Sequence, residues 1–382
     1  MKRRNFLKIV GGGMIVAGGA GAAFTMTRRP DAALAPWSNA GGPAYTDPRL
    51  RALSHAILAP NPHNRQPWIV EMNGADGVTL FFDTDRRLPE TDPFDRQLTI
   101  GLGCFLELMT MAANAEGYAV ETTLFPQGSN ETRLDRRPVA RARFSRSGAT
   151  SADPLWLHVP DRRSTKEPFD TSRPVTNAQL ARLIATGAHG TNFGGSIDEA
   201  ETLWLRRLTE DALVIEMETP NTMKESVDLF RIGKAEINAN PDGLDFSGAF
   251  FEAARLTGFF TRESAADMTS TSFRQGIEMV TASARTSMGH VWIATQNNKR
   301  ADQIAVGRDW LRLNLAITRE GLAVQPMSQA LQEYPEMTAL FEELQGRLVP
   351  YGGTVQMLGR IGYGPKVDVS PRWPLEAKLR NA

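Results

Sequence analysis

Cysteine is almost missing from this chain: Cys104 stands alone among 382 residues, which excludes an intrachain disulfide and any cysteine-built metal cage. Net charge is missing too, since 43 Lys+Arg balance 43 Asp+Glu. No overall field draws nucleic acid, so any anion binding falls to local clusters. The histidines, His55, His63, His158, His189 and His290, show neither HExxH nor paired ligand spacing, which argues against a metal site. No GxSxG elbow or SxxK occurs in a fitting context for a serine hydrolase. "GLGCFL" (101 to 106) lacks the third glycine of a dinucleotide fingerprint and sits at a helix start. The tryptophans and arginines do not interleave into a nucleic-acid strip. What is present, 41% hydrophobic and 23% charged residues, describes a globular chain long enough for two ordinary domains. Cys104, flanked by Phe105, Leu106, Leu108 and Met109, reads as a buried helical residue.

The N-terminus opens on Lys2-Arg3-Arg4, followed by an apolar but glycine-rich stretch. A membrane span is normally richer in Leu and Ile, because glycine contributes little to apolar transfer. Arg3-Arg4-Asn5-Phe6-Leu7-Lys8 resembles the twin-arginine export signal. Cleavage after Ala20-Gly21-Ala22 has the small-x-small form; Ala33-Leu34-Ala35 has it as well, but Pro36 follows. The resemblance implies a signal over residues 1–24, use of the twin-arginine machinery, and a periplasmic or otherwise exported location. An uncleaved membrane anchor is the alternative. Because that route carries folded proteins, it also hints at a prosthetic group inserted before export.

A polar linker with Pro and Gly is expected over 25–46, and beyond it the chain echoes itself. "GCFLELMTMAANAEGYAV" (103 to 120) and "GRDWLRLNLAITREGLAV" (307 to 324) share their opening glycine, a central alanine and the closing "EG-AV". Both carry helical periodicity, in Leu106, Met109, Ala113 and in Trp310, Leu313, Ile317. Gly117 and Gly321 stand where helices are capped. Each follows a strand-like run, "VTLFFDT" (78 to 84) or "HVWIATQ" (290 to 296). The matching order points to duplication, with halves at 47–150 and 151–376 packed as a pseudo-dimer around long central helices. The expected fold class is α+β, with antiparallel or mixed strands beside those helices.

Each half holds one motif the other lacks. In the second, "RRSTKEPFD" (162 to 170) leads through Pro174 to a helix capped at Thr176 or Asn177. Forked guanidinium donors beside small hydroxyls suit a phosphate. The same run also fits a solvated turn with ion pairs to Asp161, Glu167 and Asp170. In the first, "APNPHNRQPW" (59 to 68) sets Asn61, His63, Asn64, Arg65 and Gln66 between prolines, a rigid polar edge for a planar heterocycle; "SAADMTSTS" (264 to 272) stands at its place in the second. Trp68 begins a buried strand.

Together these motifs resemble the nitroreductase superfamily of FMN oxidoreductases, and the missing counterpart motifs resemble its fused, two-repeat, Acg-like branch. The resemblance spans about residues 47 to 376. It implies FMN, with Arg162, Ser164, Lys166 and Arg372 on the phosphate side and Lys166 near the ring. It places Pro60, Asn61, Pro62, Asn64, Gln66, Pro67 and Trp68 in the segment along the isoalloxazine, and Met327 and Ser328 near flavin N5. Asn61 and Pro62 stand where members have small hydroxyl residues, and Pro62 has no N–H to donate. Further implications are a monomer with one asymmetric site, a small-molecule electron acceptor (a quinone or nitro compound), and no nucleic-acid partner. A non-catalytic flavin-holding protein is the alternative. No catalytic residue and no metal ligand are assigned. An insertion at about 220–275, after a strand-like run at 211–217, carries the aromatic stripe Phe246, Phe250, Ala253, Phe260, with Phe251 and Phe259 beside it, and is expected to lie over the flavin as a lid.

Overall fold

The computed structural model describes residues 28–148 and 151–380, so the expected export signal lies outside the described residues. The first part of the chain runs α1 (Asp31–Asn39), α2 (Pro48–Ala56), β1 (Trp68–Asn73), β2 (Gly77–Phe82), α3 (Arg96–Ala115), β3 (Tyr118–Leu124) and β4 (Pro138–Arg146). There follow α4 (Asn177–Ile184), β5 (Asn192–Ser196) and α5 (Glu199–Glu218). An inserted block holds α6 (Pro220–Asp228), β6 (Phe230–Ile232), α7 (Lys234–Ala239), β7 (Leu244–Phe246), α8 (Ala249–Leu256), α9 (Arg262–Ala266) and α10 (Thr271–Ala284). The chain ends with β8 (Gly289–Thr295), α11 (Arg300–Arg319), β9 (Ala323–Pro326), α12 (Thr338–Leu348), β10 (Thr354–Gly362) and β11 (Leu379–Arg380). Antiparallel sheets beside long helices make the class α+β, as the strand and helix spacing implies.

Of the two larger sheets one has the order β11-β1-β2-β4-β3 and the other β5-β8-β10-β9, while β6 and β7 form a small parallel pair of their own. Apart from β11, which joins β1 in parallel, every pairing in both is antiparallel. The four strands of the second sheet thus repeat β1-β2-β4-β3 in succession, and α3 and α11 occupy the same place between their second strand and the next. Each helix stops where Gly117 (φ 81°) or Gly321 (φ 69°) takes a left-handed conformation that relieves the last turn. The two helices are in contact at their glycines. A Cβ on Gly307 would run into the Ile100 carbonyl and lie 2.8 Å from the Gly103 Cα. Backbones this close leave no room for a side chain. Cys104 sits at the crossing, its thiol donating to the Gly307 carbonyl at 3.0 Å and pushed by burial up to about 12, hence inert. Around it Leu102, Phe105, Leu106, Trp310, Leu311 and Leu315 are buried in one core shared by both sheets, with Trp68.

Four expectations change. The run at 211–217 is the end of helix α5, not a strand: Leu205, Leu208, Ala212 and Leu213 face the core at helical spacing, which outweighs the β-branched content of a short window. Residues 31–39, expected within a linker, form α1 despite Pro36, because its Ala33, Leu34 and Pro36 find an apolar surface to bury. The C-terminal residues after 376 return to the first sheet as β11. The aromatic stripe is not one helix: Phe246 lies in β7, and Phe259 and Phe260 follow the end of α8 at Leu256. Phe230, Phe246, Phe251 and Phe260 instead pack ring against ring inside the inserted block, with Phe273 and Met223 in the same small core.

Candidate functional site

The segment after α2 is under backbone strain. His63 (φ 47°), Asn64 (φ 49°) and Gln66 (φ 51°) all adopt left-handed conformations, three of the five non-glycine residues with positive φ among those described. Such residues cost on the order of 1–3 kcal/mol each and persist where surroundings over-determine them. Here a dense set of hydrogen bonds does so. The Asn61 Oδ1 accepts from the Gln66 N–H at 2.7 Å, and the Gln66 amide donates to the Pro241 carbonyl at 2.6 Å. The Trp373 N–H donates to the Gln66 Oε1 at 2.9 Å, and Asn64 donates to the Pro371 carbonyl at 3.0 Å. Lys378, buried, donates to the Gln66 carbonyl at 2.9 Å, and burial lowers its ammonium to about 7. Residues 241–243 of the inserted block and 371–378 of the C-terminus therefore hold this loop together.

Two buried arginines converge beside it. Arg372 donates from Nη1 to the Asn64 Oδ1 at 2.7 Å, and from Nη2 to the carbonyls of Leu58 (3.2 Å) and Ala59 (3.1 Å). Arg162 donates to the same Leu58 carbonyl at 3.1 Å. Neither makes an ion pair among the described residues. The Arg372 Nε is buried with no partner. Burial lowers Arg162 to about 10, with Arg163 adding to the effect, and lowers Arg372 to about 9, with Arg162 adding to it. Trp37 of α1 lies over the group: its ring centre is 5.8 Å from the Arg162 guanidinium carbon, 5.3 Å from that of Arg163 and 5.7 Å from that of Arg372. Helix α1 is tied down by the Trp37 indole donating to the Ser370 carbonyl (2.8 Å), the Arg372 N–H donating to the Ala33 carbonyl (2.9 Å), and the Ala33 N–H donating to Asn238 (3.1 Å).

The rest of "RRSTKEPFD" is shaped from below. The Thr165 N–H donates to the Val324 carbonyl of β9 at 2.8 Å. Arg360, fully buried in β10, donates to the carbonyls of Thr165 (3.3 Å) and Glu167 (2.7 Å), and burial lowers its guanidinium to about 9. Held this way, Ser164 and Lys166 are exposed while Arg162 and Thr165 point inward. Asp245 of β7 is accessible to water yet surrounded by protein. Burial raises its carboxyl, and the charges of Lys166 and Arg372 offset only part of that rise. The Gly243 N–H donates to the Asn64 carbonyl at 3.3 Å, so the start of the inserted block lies against the Asn64 loop rather than on the remote face.

The structure thus brings Arg162, Arg372 and Asn64 into one hydrogen-bonded group, with Lys166 electrostatically coupled to it through Asp245. Asn61 and Pro62 pack against Gly101 of α3, where an added Cβ would meet them at 3.1 and 3.3 Å. Pro60 is half-buried. Met327 is buried in the core beneath α5 and β10, its N–H donating to the Leu358 carbonyl at 2.8 Å, and Ser328 is half-buried beside it. The ion pairs of a solvated turn are absent from Arg162 and Lys166 among the described residues; Asp161 pairs instead with Lys366, at 3.7 Å. Sequence reasoning missed Trp37, Asp245 and Arg360. Arg360 left a signal, a charged residue inside the apolar strand "MLGRIG"; Trp37 and Asp245 are joined to the site only by the tertiary fold.

No known family model matches this chain. Over 344 residues, 87% of this chain and 95% of the other, it is 25% identical to a Mycobacterium tuberculosis protein named "Putative NAD(P)H nitroreductase acg". Among solved structures it aligns with the FMN-dependent nitroreductase NfnB of Mycobacterium smegmatis in complex with NADPH (TM-score 0.34, 13% identity, 58% of this chain and 94% of that one). A nitroreductase with bound FMN from Bacteroides fragilis aligns at TM-score 0.34 and 12% identity, over 58% and 94% of the two chains. The chain is similar along most of its length to a protein named as a nitroreductase.

Proposed function

We propose that this chain is an exported FMN flavoprotein of the nitroreductase superfamily, an oxidoreductase that reduces an electron-poor acceptor of the quinone or nitro class. The observation that carries the reading is the pair of buried guanidiniums, Arg162 and Arg372, meeting at the Leu58 carbonyl with no ion pair to either among the described residues; Asp245 acts on Arg372 only from beyond ion-pair distance. An unpaired buried charge costs several kcal/mol, and two adjacent ones repel. A phosphate offsets both terms, and the Arg372 Nε–H, buried without a partner, is free to donate to it. The residues therefore fit the phosphate of FMN. Arg162, Arg372 and Ser164 would hold it. Asn64, Pro60, Asn61 and Pro62 would line one side of the ring, with Met327 and Ser328 near the other. Lys166 is the exposed cation available where reduction leaves negative charge. When bound, FMN supplies two-electron redox chemistry, and the protein supplies position, orientation and field.

The halves are read as tandem repeats forming an intramolecular pseudo-dimer. The repeated strand order and the Gly103–Gly307 contact support this. Since only the first half has the Asn64 motif and only the second has the Arg162 motif, a monomer would bind one FMN. Export through the twin-arginine pathway rests on Arg3, Arg4 and the residues after them. A second reading, flavin retention without turnover, is favoured by the way Trp37 and residues 241–245 enclose the arginines. The flavin-binding claim is tested by titrating apoprotein with FMN and with riboflavin, which lacks the phosphate. FMN binding at least about 100-fold tighter is expected from charge-assisted contacts. Equal affinities would remove the phosphate assignment.

A further inference from the structure

Helix α1 is too short and too poorly capped to stand alone. It has nine residues, Pro36 removes one internal N–H, and its first turn receives no side-chain cap. What holds it is docking. Ala33, Leu34 and Pro36 are buried. The Ala33 N–H donates to Asn238 of α7, the Ala33 carbonyl accepts from the Arg372 N–H, and the Trp37 indole donates to the Ser370 carbonyl. Through these contacts α1 lies across the residues assigned to the flavin phosphate. The Trp37 ring centre is 5.8, 5.3 and 5.7 Å from the guanidinium carbons of Arg162, Arg163 and Arg372, all within the about 6 Å over which a ring attracts a cation.

The charge under the ring sets the sign of the coupling. Among the described residues none of the three arginines makes an ion pair, and burial holds each below the usual arginine range. The carboxylates that act on them, Asp161 and Asp368 on Arg163 and Asp245 on Arg372, do so from beyond ion-pair distance. Docking α1 draws water away from three like charges, which opposes docking while the site is empty. A phosphate among them offsets that cost, and the docked ring keeps water from the charge-assisted bonds the phosphate makes. Each event favours the other, by the same factor. We infer that Trp37 is a positioning and specificity-determining residue for the cofactor: with α1 docked it holds the arginine cluster dry and in place for a phosphate-bearing flavin, and FMN in turn fixes α1 on the fold. This rests on the flavoprotein reading above and adds to it what selects FMN over an unphosphorylated flavin.

The test uses the full-length protein, with FMN and riboflavin as probes. Hydrogen exchange over residues 31–40 of the wild type should slow by at least about fivefold on saturation with FMN and stay unchanged with riboflavin. Trp37→Ala should weaken FMN binding about tenfold and leave riboflavin within about twofold, so the preference for FMN shrinks. Trp37→Phe keeps a ring over the guanidiniums and gives up only the indole bond to the exposed Ser370 carbonyl, so it should bind FMN within about threefold of the wild type. The two claims fail separately. A wild type that binds neither flavin overturns the flavoprotein reading, and this inference with it. FMN bound by the wild type with exchange over 31–40 unmoved overturns the role of Trp37 alone. So does Trp37→Ala binding FMN as tightly as the wild type, or losing FMN and riboflavin equally, as a merely structural residue would. Should Trp37→Ala fail to fold, the exchange data and Trp37→Phe still decide: Trp37→Phe with the preference for FMN lost contradicts the inference.

Discussion

Replacing Arg162 by Met should stabilise the empty protein and abolish its response to FMN. In the folded chain Arg162 is buried and lowered from 12.5 to about 10, chiefly by burial. A depressed arginine is still protonated at pH 7, so the folded state bears the cost of holding the charge. At about 1.4 kcal/mol per unit, that cost is about 3 kcal/mol. The substitution removes it, together with the repulsion from Arg372. It also removes the hydrogen bond to the Leu58 carbonyl, worth about 1 kcal/mol. That carbonyl keeps its bond from Arg372 at 3.2 Å, so no acceptor is orphaned. Methionine fills much of the same space with a flexible apolar chain. The net effect is a gain of about 2 kcal/mol, which for a chain this large is a rise of a few degrees in Tm. With FMN at 100 times its Kd, the wild type gains about 2.7 kcal/mol and the variant gains nothing. Thermal melts with and without FMN should therefore cross: the variant melts higher when empty, the wild type higher when loaded. A variant that melts lower in both conditions, or that still gains with FMN, would refute the reasoning.

Gly307→Ala forces a Cβ into the Ile100 carbonyl, so α3 and α11 must move apart; a loss of 3 kcal/mol or more is expected, read by urea unfolding. Glu107 should make the fold acid-sensitive. Burial alone would raise its carboxyl, but hydrogen bonds and charge from His189 and Arg308 outweigh burial and hold it at about 2, against an ordinary 4.5. A lowered carboxyl contributes stability above its unfolded value, so about 3 kcal/mol should be lost as pH falls from about 5 to 2. Glu107→Gln should flatten that part of the stability–pH curve, and an unchanged curve would show that the network around Glu107 contributes no linkage.

The elements legible in the sequence are those set by local rules. Gly117 and Gly321 end their helices because only a residue tolerant of φ > 0 fits there, and Thr176 caps α4 by bonding the Gln179 N–H at 3.2 Å. The 59–68 segment announced itself by its prolines, though not by the left-handed backbone of His63 and Asn64. Helix α1 was hidden because Pro36 reads as a breaker, while what stabilises α1 is docking on residues hundreds of positions away. The 211–217 run misled because β-branched residues in a short window imitate a strand. The packing of Phe246 against Phe230 and Phe260 could not be read from a helical wheel, since only residues 249–256 of that stretch are helical.

The central claim is one FMN held by the arginine pair in each chain. Its most direct measurement is the flavin released from purified protein, counted by absorbance at about 450 nm against protein concentration. One flavin per chain, identified as FMN and absent from the Arg162→Met variant, is the predicted result. A chain that carries no flavin and takes up none from solution, or one that carries two, would contradict the account.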